Sequence, residues 1–293
     1  QVLWTIANQK NKHVIISSVE HPAISKVLEK IKPYGVETST IPVNNQGLVL
    51  TNELINLIRP NTGLISIMLA NNEIGSIQPI KEIIKEIYNH NIPLHTDAVQ
   101  ALGKIEIDVN ELGIDYLSLS AHKFYGPKGV GSLFVKKKNN IKSFIIGGDQ
   151  ENGLRGGTEN IAGIVGMGLA AELAIRDQNK SVIKLKKLEK HFLNNLKEHI
   201  PSAKHNKTNN LPGLISISFP GSKSNILMAK LDRANIAVSN GSACNTGNIK
   251  PSKVLKAIGL DDDINLSTLR ISFGKDNTID EVDFLIKTLI EIL

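Results

Sequence analysis

The feature that most constrains the fold of this chain is a regular alternation of short apolar runs and helical repeats. The apolar runs are rich in Ile, Val and Leu and do not alternate with polar residues, as in strands buried on both faces of a parallel sheet. The sequence therefore predicts an α/β fold with a mostly parallel sheet, in which the helices form the crossover connections. The predicted strands span residues 13–17, 36–43, 64–69, 92–96, 115–119 and 131–135, and the predicted helices span residues 22–31, 51–58 and 79–88.

A different pattern begins after residue 135. Two long helices are predicted at residues 160–176 and 181–198, and shorter strands and helices then follow to the end of the chain. We expect two domains, a large one at residues 1–176 and a smaller α+β domain at residues 177–293 that carries Cys244. The predicted strands of the smaller domain span residues 214–219, 237–240 and 268–273, and its helices span residues 224–234, 251–258 and 278–293.

The composition excludes several classes of protein. Of the 293 residues, 41% are hydrophobic and 21% are charged, which is typical of a soluble globular protein. No apolar run is long enough to predict a membrane span, and the start of the chain contains no readable secretory signal, so we expect a cytoplasmic protein. The net charge of +6 comes from dispersed lysines that often lie beside acids, and we expect no nucleic-acid site.

Candidate catalytic residues follow the predicted strands. Ligands of open α/β sheets bind beyond the carboxyl ends of the strands. Lys123 comes shortly after the apolar run that begins at Tyr116. A lysine delivered to a pocket in this way is a candidate for imine formation with a carbonyl compound or a cofactor aldehyde. The alternative is a surface lysine in a turn between a strand and a loop.

Asp97 and His21 follow two other predicted strands. Asp97 could act as a base, a metal ligand or a counter-ion, but no partners stand at metal-ligand spacing, so we expect no metal. Beside Lys123, the simplest role for Asp97 is to keep a pyridine nitrogen protonated. His21 could stack on a flat ring or shuttle a proton. Either residue could instead cap a helix or close a turn.

Two further candidates lie in the second half of the chain. Cys244 is the single cysteine, which excludes an internal disulfide and a multi-cysteine metal site. Its predicted loop consists of small polar residues, so Cys244 is either a nucleophile, which needs a base or cation nearby, or an unimportant exposed thiol. Arg270 interrupts an apolar strand, where its guanidinium fits a carboxylate ligand or an internal ion pair.

The glycine-rich stretch at residues 147–158 predicts either a loop whose backbone N–H groups bind an anion or a flexible connector.

In combination, these residues resemble the cysteine desulfurases, which are pyridoxal-phosphate enzymes of the class V aminotransferase group. The resemblance covers essentially the whole chain, and its motifs follow one another in the family's order. It implies a pyridoxal-phosphate-dependent transferase fold of type I, with a sheet of the seven-stranded type in the large domain. The motifs are Ser18-Val19-Glu20-His21, Asn71-Asn72-Glu73-Ile74-Gly75, His95-Thr96-Asp97-Ala98-Val99-Gln100, the run from Ser120 to Gly129, Arg155-Gly156-Gly157-Thr158, Gly241-Ser242-Ala243-Cys244, and Arg270.

The resemblance implies a role for each site residue. Lys123 would bind the pyridoxal phosphate as an aldimine and later transfer protons. Asp97 would hold the pyridine nitrogen, and His21 would stack on the ring. Cys244 would attack the sulfur of L-cysteine. Gln100 would donate a hydrogen bond to the phenolic oxygen of the cofactor, and Asn72 would contact that oxygen and the substrate carboxylate. Ser120 and His122 would bind the phosphate, together with Thr158 from the partner subunit of a homodimer. Arg270 would bind the substrate carboxylate.

The resemblance also implies products and partners. L-alanine would leave, and a persulfide would remain on Cys244. The long loop at residues 242–251 resembles the subgroup that passes sulfur to an iron-sulfur scaffold or a tRNA-thiolation enzyme. Chains of the family begin further upstream, with a segment that includes a glycine-threonine loop for the phosphate. We therefore expect either that this sequence is part of a longer chain or that it holds the cofactor weakly.

Two other hypotheses stay open at this point. The chain could be a related pyridoxal-phosphate enzyme, such as a selenocysteine lyase or another class V aminotransferase, and turnover of cysteine that survives Cys244→Ala would favour this hypothesis. It could also be a non-catalytic scaffold that binds sulfur acceptors. The joint presence of Lys123, Asp97, Cys244 and Arg270 weighs against a scaffold, because a chain without catalysis has no physical need for all of them.

Overall fold

The chain forms two compact units. The structure, a computed structural model, describes residues 1–137, 139–206, 209–241 and 250–293. The division into domains 1–176 and 177–293 stays a prediction, because the compact units are not continuous in sequence. The first unit consists of Gln1–Pro42, Val49–Ala70 and Gln78–Asp177, and the second of Val43–Leu48, Asn71–Ile77 and Gln178–Leu293.

The described residues of the first unit contain six strands, β1 (His13–Ser17), β2 (Glu37–Ile41), β3 (Thr62–Ser66), β4 (Leu94–Asp97), β5 (Tyr116–Ser120) and β6 (Gly131–Val135). They form one sheet in the order β2-β1-β3-β4-β5-β6. All neighbours are parallel except β5 and β6, which are antiparallel. The predicted mostly parallel α/β sheet is confirmed. The described residues form six strands, as many as the strand-like runs before residue 136, whereas the resemblance implies a sheet of the seven-stranded type.

Burial along the strands explains why the apolar runs do not alternate. β1 and β3 are buried at every position because they lie inside the sheet. β2 lies at the edge, and its exposed and buried residues alternate. The helices of this unit are α1 (Val2–Ala7), α2 (Pro22–Ile31), α3 (Thr51–Leu57), α4 (Ile80–Ile87), α5 (Val109–Leu112) and α6 (Ile161–Arg176).

One face of the sheet is covered by the first two helices. Ile6 of α1 and Leu28 of α2 pack with Val14 and Leu64 in one buried cluster. α2 has the predicted bounds, because Pro22 stands at its first position and its apolar residues recur at helical spacing. This packing fixes the end of β1, after which His21 follows.

The second unit has a smaller antiparallel sheet. Its strands run in the order β7-β8-β10-β9, and every pair is antiparallel. Phe192, Ile217, Leu269 and Leu289 are buried in its core. The elements are α7 (Gln178–His199), β7 (Lys204–His205), β8 (Leu214–Ser218), α8 (Ser224–Arg233), β9 (Ser239–Asn240), α9 (Lys253–Ala257), α10 (Asp262–Leu266), β10 (Thr268–Ser272) and α11 (Ile279–Ile292).

The two early segments are hydrogen-bonded into this second unit. The backbone N–H of Ile77 donates to Asn209 O at 3.2 Å, and the N–H of Leu211 donates to Gly75 O at 2.8 Å. The Oγ of Ser76 donates to Gly47 O at 3.2 Å, which joins the early segments to each other. Residues from the first third of the chain are therefore structural parts of the C-terminal unit.

Three short helices were not expected from the sequence. They are α1, α5 and α10, with six, four and five residues. Helices of one or two turns contain too few residues to display a period of 3.6, so apolar spacing does not reveal them. Throughout the described part of the chain, no helix is long and apolar enough to cross a membrane.

Candidate active site

Three strand ends of the first unit carry the predicted site residues. β1 is followed by His21, β4 ends at Asp97, and β5 is followed by Lys123. β4 and β5 are neighbours, and the Cα atom of Asp97 is in register with that of Ser118. The carboxyl ends of these parallel strands meet at one edge of the sheet, which is where such sheets bind ligands.

Asp97 is a half-buried carboxyl group with one backbone hydrogen bond. Its Oδ1 accepts from the N–H of Val99 at 3.0 Å, and its backbone oxygen accepts from the N–H of Leu69 at 2.8 Å. Burial raises the pKa of Asp97, while the Val99 hydrogen bond and the charge of His21 lower it. Among the described residues no further hydrogen bond to this carboxyl group is seen, so Asp97 has capacity for a cationic donor.

His95 lies two residues before Asp97 in β4 and links three strands of the sheet, a role that the sequence did not predict. Its Nδ1 lies 2.8 Å from Ser66 Oγ, and its Nε2 lies 2.9 Å from Ser118 Oγ, so the ring joins β3, β4 and β5. Burial lowers the pKa of His95 to about 4, and the ring is neutral. A neutral imidazole donates from one nitrogen and accepts at the other, which matches two hydroxyl partners. Its sequence signal was only a histidine two positions before Asp97 on the same strand.

His21 caps helix α2. Its Nδ1 accepts from the backbone N–H of Ala23 at 3.1 Å, so the cap considered from the sequence is present. Because Nδ1 is the acceptor, the proton of the neutral ring is on Nε2. The cap fixes one nitrogen of the ring, and the stacking role of His21 stays a prediction.

Lys123 lies in a short 3-10 helix, Ala121–Phe124, directly after β5. Its side chain is exposed. Ala121 and Phe124 are buried against Ala170 of α6, and this packing anchors the turn. Gly126 fits closely there, because a Cβ atom at this position would lie 3.0 Å from Ala121 O and 3.2 Å from Ala170 Cβ.

The predicted phosphate ligands Ser120, His122 and Thr158 are partly or fully exposed in the first unit. Ser120 Oγ and His122 Nδ1 are hydrogen-bonded at 2.8 Å. Gln100 is half-buried after β4. Thr158 is exposed at the end of the glycine-rich stretch, where the N–H of Gly156 donates to Ile145 O at 2.8 Å.

Arg270 and Asn72 belong to the second unit and are in contact. The Nη1 of Arg270, on β10, donates to the backbone oxygen of Asn72 at 3.0 Å. Glu73 follows, and its Oε2 accepts from Ser252 Oγ at 2.5 Å. Burial raises the pKa of Glu73 to about 7, while the Ser252 hydrogen bond and the charge of Arg270 lower it. Arg270 is thus half-buried near an acid, with its guanidinium oriented by the backbone.

Cys244 lies outside the described residues, and its predicted role stays a prediction. Gly241 and Ser252, which lie on either side of Cys244 in the sequence, both lie close to Glu73. A Cβ atom on Gly241 would lie 2.7 Å from Glu73 Oε2, and Ser252 donates to the same oxygen. Ser252 is fixed further by Asn265, whose Nδ2 donates to Ser252 O at 2.9 Å.

Comparison with known proteins identifies the class first. Residues 2–285 match the family described as aminotransferase class-V. The fold, with its lysine after a strand of a mostly parallel sheet, and this match define the chain as a class V aminotransferase family member.

Relatives narrow the family further. A protein named cysteine desulfurase IscS from Dictyoglomus turgidum is 41% identical over 97% of this chain, which spans 73% of that relative. A solved structure titled NifS-like protein superposes with a TM-score of 0.92 at 35% identity, covering 99% of this chain and 78% of its own. Another, titled SspA in complex with cysteine, gives a TM-score of 0.77 at 34% identity, over 94% of this chain and 77% of its own. The chain belongs to the cysteine desulfurases.

Enzymes of this family use pyridoxal phosphate, and the residues of the first unit fit that group. Asp97 is a half-buried carboxyl group with capacity for a cationic donor, as a protonated pyridine nitrogen requires. Ser120 and His122 offer a hydroxyl group and an imidazole to a phosphate, and Lys123 offers an amine. Among the residues the structure describes, no cluster of His, Cys, Asp and Glu suits a metal ion.

Proposed function

We propose that the chain removes sulfur from L-cysteine, giving L-alanine and a persulfide on Cys244, with pyridoxal phosphate as cofactor. The observation that carries this proposal is the pair of neighbouring strand ends, with Asp97 ending β4 and Lys123 following β5. An amine and a carboxylate placed in this way suit a cofactor with an aldehyde and a pyridine ring. The names of the relatives support the choice of reaction.

The residues of the first unit bind and orient the cofactor in this proposal. Lys123 Nζ would hold its aldehyde group, the Asp97 carboxylate would accept a hydrogen bond from its ring nitrogen, and His21 would stack on its ring. The cap on Nδ1 of His21 restricts rotation of that imidazole. Further cofactor contacts are assigned to Gln100, Ser120, His122 and, from the partner subunit, Thr158.

The residues of the second unit act on the substrate. Bound pyridoxal phosphate supplies an electron sink at the substrate α-carbon. Arg270 would pair with the substrate carboxylate, and its Nη1 donates to the backbone oxygen of Asn72, the other residue assigned to that carboxylate. Cys244 Sγ forms a bond to the substrate sulfur while the bond from that sulfur to the β-carbon breaks, and its electron pair stays on carbon. Lys123 Nζ delivers protons, so one thiol and one cysteine become one persulfide and one alanine.

The experiment is product analysis of the purified full-length protein loaded with pyridoxal phosphate. We expect alanine from L-cysteine, sulfide once an added thiol reductant cleaves the persulfide, loss of both in Cys244→Ser, and loss of the covalently bound cofactor in Lys123→Ala. Lys128→Ala is the matched control, because Lys128 is exposed five residues further along and has no assigned role. Unchanged turnover of cysteine by Cys244→Ser would contradict the proposed nucleophile.

We also propose that the protein works as a homodimer. Ile161, Val165 and Leu169 of α6 are 64%, 66% and 56% exposed, and their spacing of four places them on one helix face. An apolar face of this kind is typical of an interface between subunits. Thr158 lies just before α6, so a partner docked on this face brings its own Thr158 close to the interface.

The fate of the sulfur is the last part of the proposal. An iron-sulfur scaffold or a tRNA-thiolation enzyme in the cytoplasm would accept it from Cys244. Transfer of labelled sulfur from the persulfide to a purified candidate acceptor tests this step, and an acceptor that stays unlabelled is excluded.

A further inference from the structure

A buried carboxyl group lies at the end of β1, and no step proposed above uses it. Glu20 precedes His21 and is only 8% exposed. Its Oε1 accepts from Ser17 Oγ at 2.6 Å and from the backbone N–H of Met68 at 2.9 Å. Its Oε2 is buried and has no hydrogen-bond partner among the described residues. Oε1 therefore accepts two hydrogen bonds, and Oε2 has no hydrogen-bond partner among the described residues.

This asymmetry favours the protonated acid. An ionised carboxylate carries charge on both oxygens, and each needs donors when it is buried. A proton on Oε2 removes the charge and leaves Oε1 as the acceptor for Ser17 and Met68. Burial, together with the nearby charge of Asp97, raises the pKa of Glu20 to about 8 against the lowering effect of the hydrogen bonds from Ser17 and Met68.

Glu20 and Asp97 bind the same short stretch of chain after β3. The N–H of Met68 donates to Glu20 Oε1, and the next N–H, that of Leu69, donates to Asp97 O at 2.8 Å. Among the described residues, Asp97 is the ionisable group whose charge raises the pKa of Glu20. A second ionised carboxyl group here would favour protonation of Asp97, and Asp97 would lose its role as counter-ion.

We propose that Glu20 is a positioning residue that works as a neutral acid. Through Oε1 it connects the end of β1 to the chain after β3 and positions the adjacent His21. Because Glu20 is neutral, no second negative charge favours protonation of Asp97. The placement of His21 at a cofactor ring rests on the proposed function. The protonation state of Glu20 does not.

The protonation state is tested on the cofactor-free, full-length protein by thermal unfolding from about pH 5 to about pH 8. The folded chain keeps most of the Glu20 proton until the pH nears about 8, whereas the unfolded chain loses it above its ordinary pKa of 4.5, so rising pH favours unfolding. Glu20→Gln has no proton to lose. We expect its melting temperature minus that of the parent to rise steadily with pH. The matched control is Glu29→Gln, an exposed glutamate on α2, for which the difference stays flat. A flat difference for Glu20→Gln would overturn the proposal.

The positioning role is tested by comparing Glu20→Gln with Glu20→Leu in a fluorescence titration with pyridoxal phosphate. Glutamine keeps an acceptor for Ser17 and Met68, and leucine leaves both donors unpaired. We expect the Kd of the glutamine variant to stay within about threefold of the parent, and that of the leucine variant to rise about tenfold or more. Equal Kd values for the two variants would overturn the positioning role. Failure of the parent to bind the cofactor would contradict the proposed function instead, and the pH series would still decide the protonation state.

Discussion

At the scale of single residues, burial decides which side chains carry charge. Burial raises the pKa of Glu20 to about 8 and that of Glu73 to about 7, and it lowers the pKa of His95 to about 4. Each of these groups has hydroxyl partners, which stabilise a neutral side chain without adding a second charge. Around Asp97, the neutral His95 and the protonated Glu20 therefore leave a single negative charge.

The first residue-scale prediction concerns that charge. Asp97→Asn keeps the shape of the side chain but has no negative charge to hold the ring nitrogen protonated. We expect kcat to fall by about a hundredfold or more, measured as alanine release from L-cysteine. Asp108→Asn is the control, because Asp108 is an exposed helix cap that asparagine replaces well, and its kcat should not change. Parental kcat in Asp97→Asn would show that the counter-ion role is wrong.

The sequence indicated the candidate site residues better than it indicated their hydrogen-bond partners. Asp97, His21 and Lys123 were predictable because they follow apolar runs, and ligands bind beyond strand ends. The hydrogen bonds of His95 were not predictable, because Ser66 and Ser118 come from two other strands and only the sheet register brings them to the ring. The same is true of Glu20, whose donor Met68 lies almost fifty residues away.

At the scale of elements, local signals decided which predictions succeeded. α2 was predicted with its true bounds because a capping residue and a proline mark its start. β3 begins and ends earlier than predicted, since apolar residues continue past Ser66 into the loop that binds Glu20 and Asp97. An apolar run shows that a segment is buried, but it does not show where strand pairing ends.

The start of α11 gives a prediction at this scale. Thr278 Oγ1 accepts from the N–H of Glu281 at 3.3 Å, and Glu281 Oε2 accepts from the N–H of Thr278 at 3.0 Å, which forms a capping box. Thr278→Ala should lower the free energy of unfolding by about 1 kcal/mol, measured with urea. Thr278→Ser keeps the hydroxyl group and should lose much less. Equal losses in the two variants would exclude the cap as the cause.

At the scale of the whole molecule, the exposed face of α6 gives a prediction about assembly. Replacing Val165 and Leu169 together by lysine places two charges on each side of the proposed interface and should convert the dimer to a monomer in sedimentation experiments. Val27→Lys changes an exposed valine on α2 and should leave the dimer intact. A double variant that stays dimeric would show that the subunits meet elsewhere.

Sequence reasoning gave the α/β class of the chain, because strand and helix patterns are local. It also gave the six strands of the first sheet, but not the composition of the two units. The segments at residues 43–48 and 71–77 belong to the second unit through hydrogen bonds to each other and to residues 209–211. Pairing over such distances along the chain leaves no periodic signal in either partner.

The segments at residues 43–48 and 71–77 determine whether the chain can be cut into two complete units. The chain passes from one unit to the other after Pro42, Leu48, Ala70, Ile77 and Asp177. A cut at residue 177 would therefore give two incomplete fragments, one of which would carry Arg270 without the backbone oxygen of Asn72 that orients it. We therefore expect neither fragment to fold as an independent module.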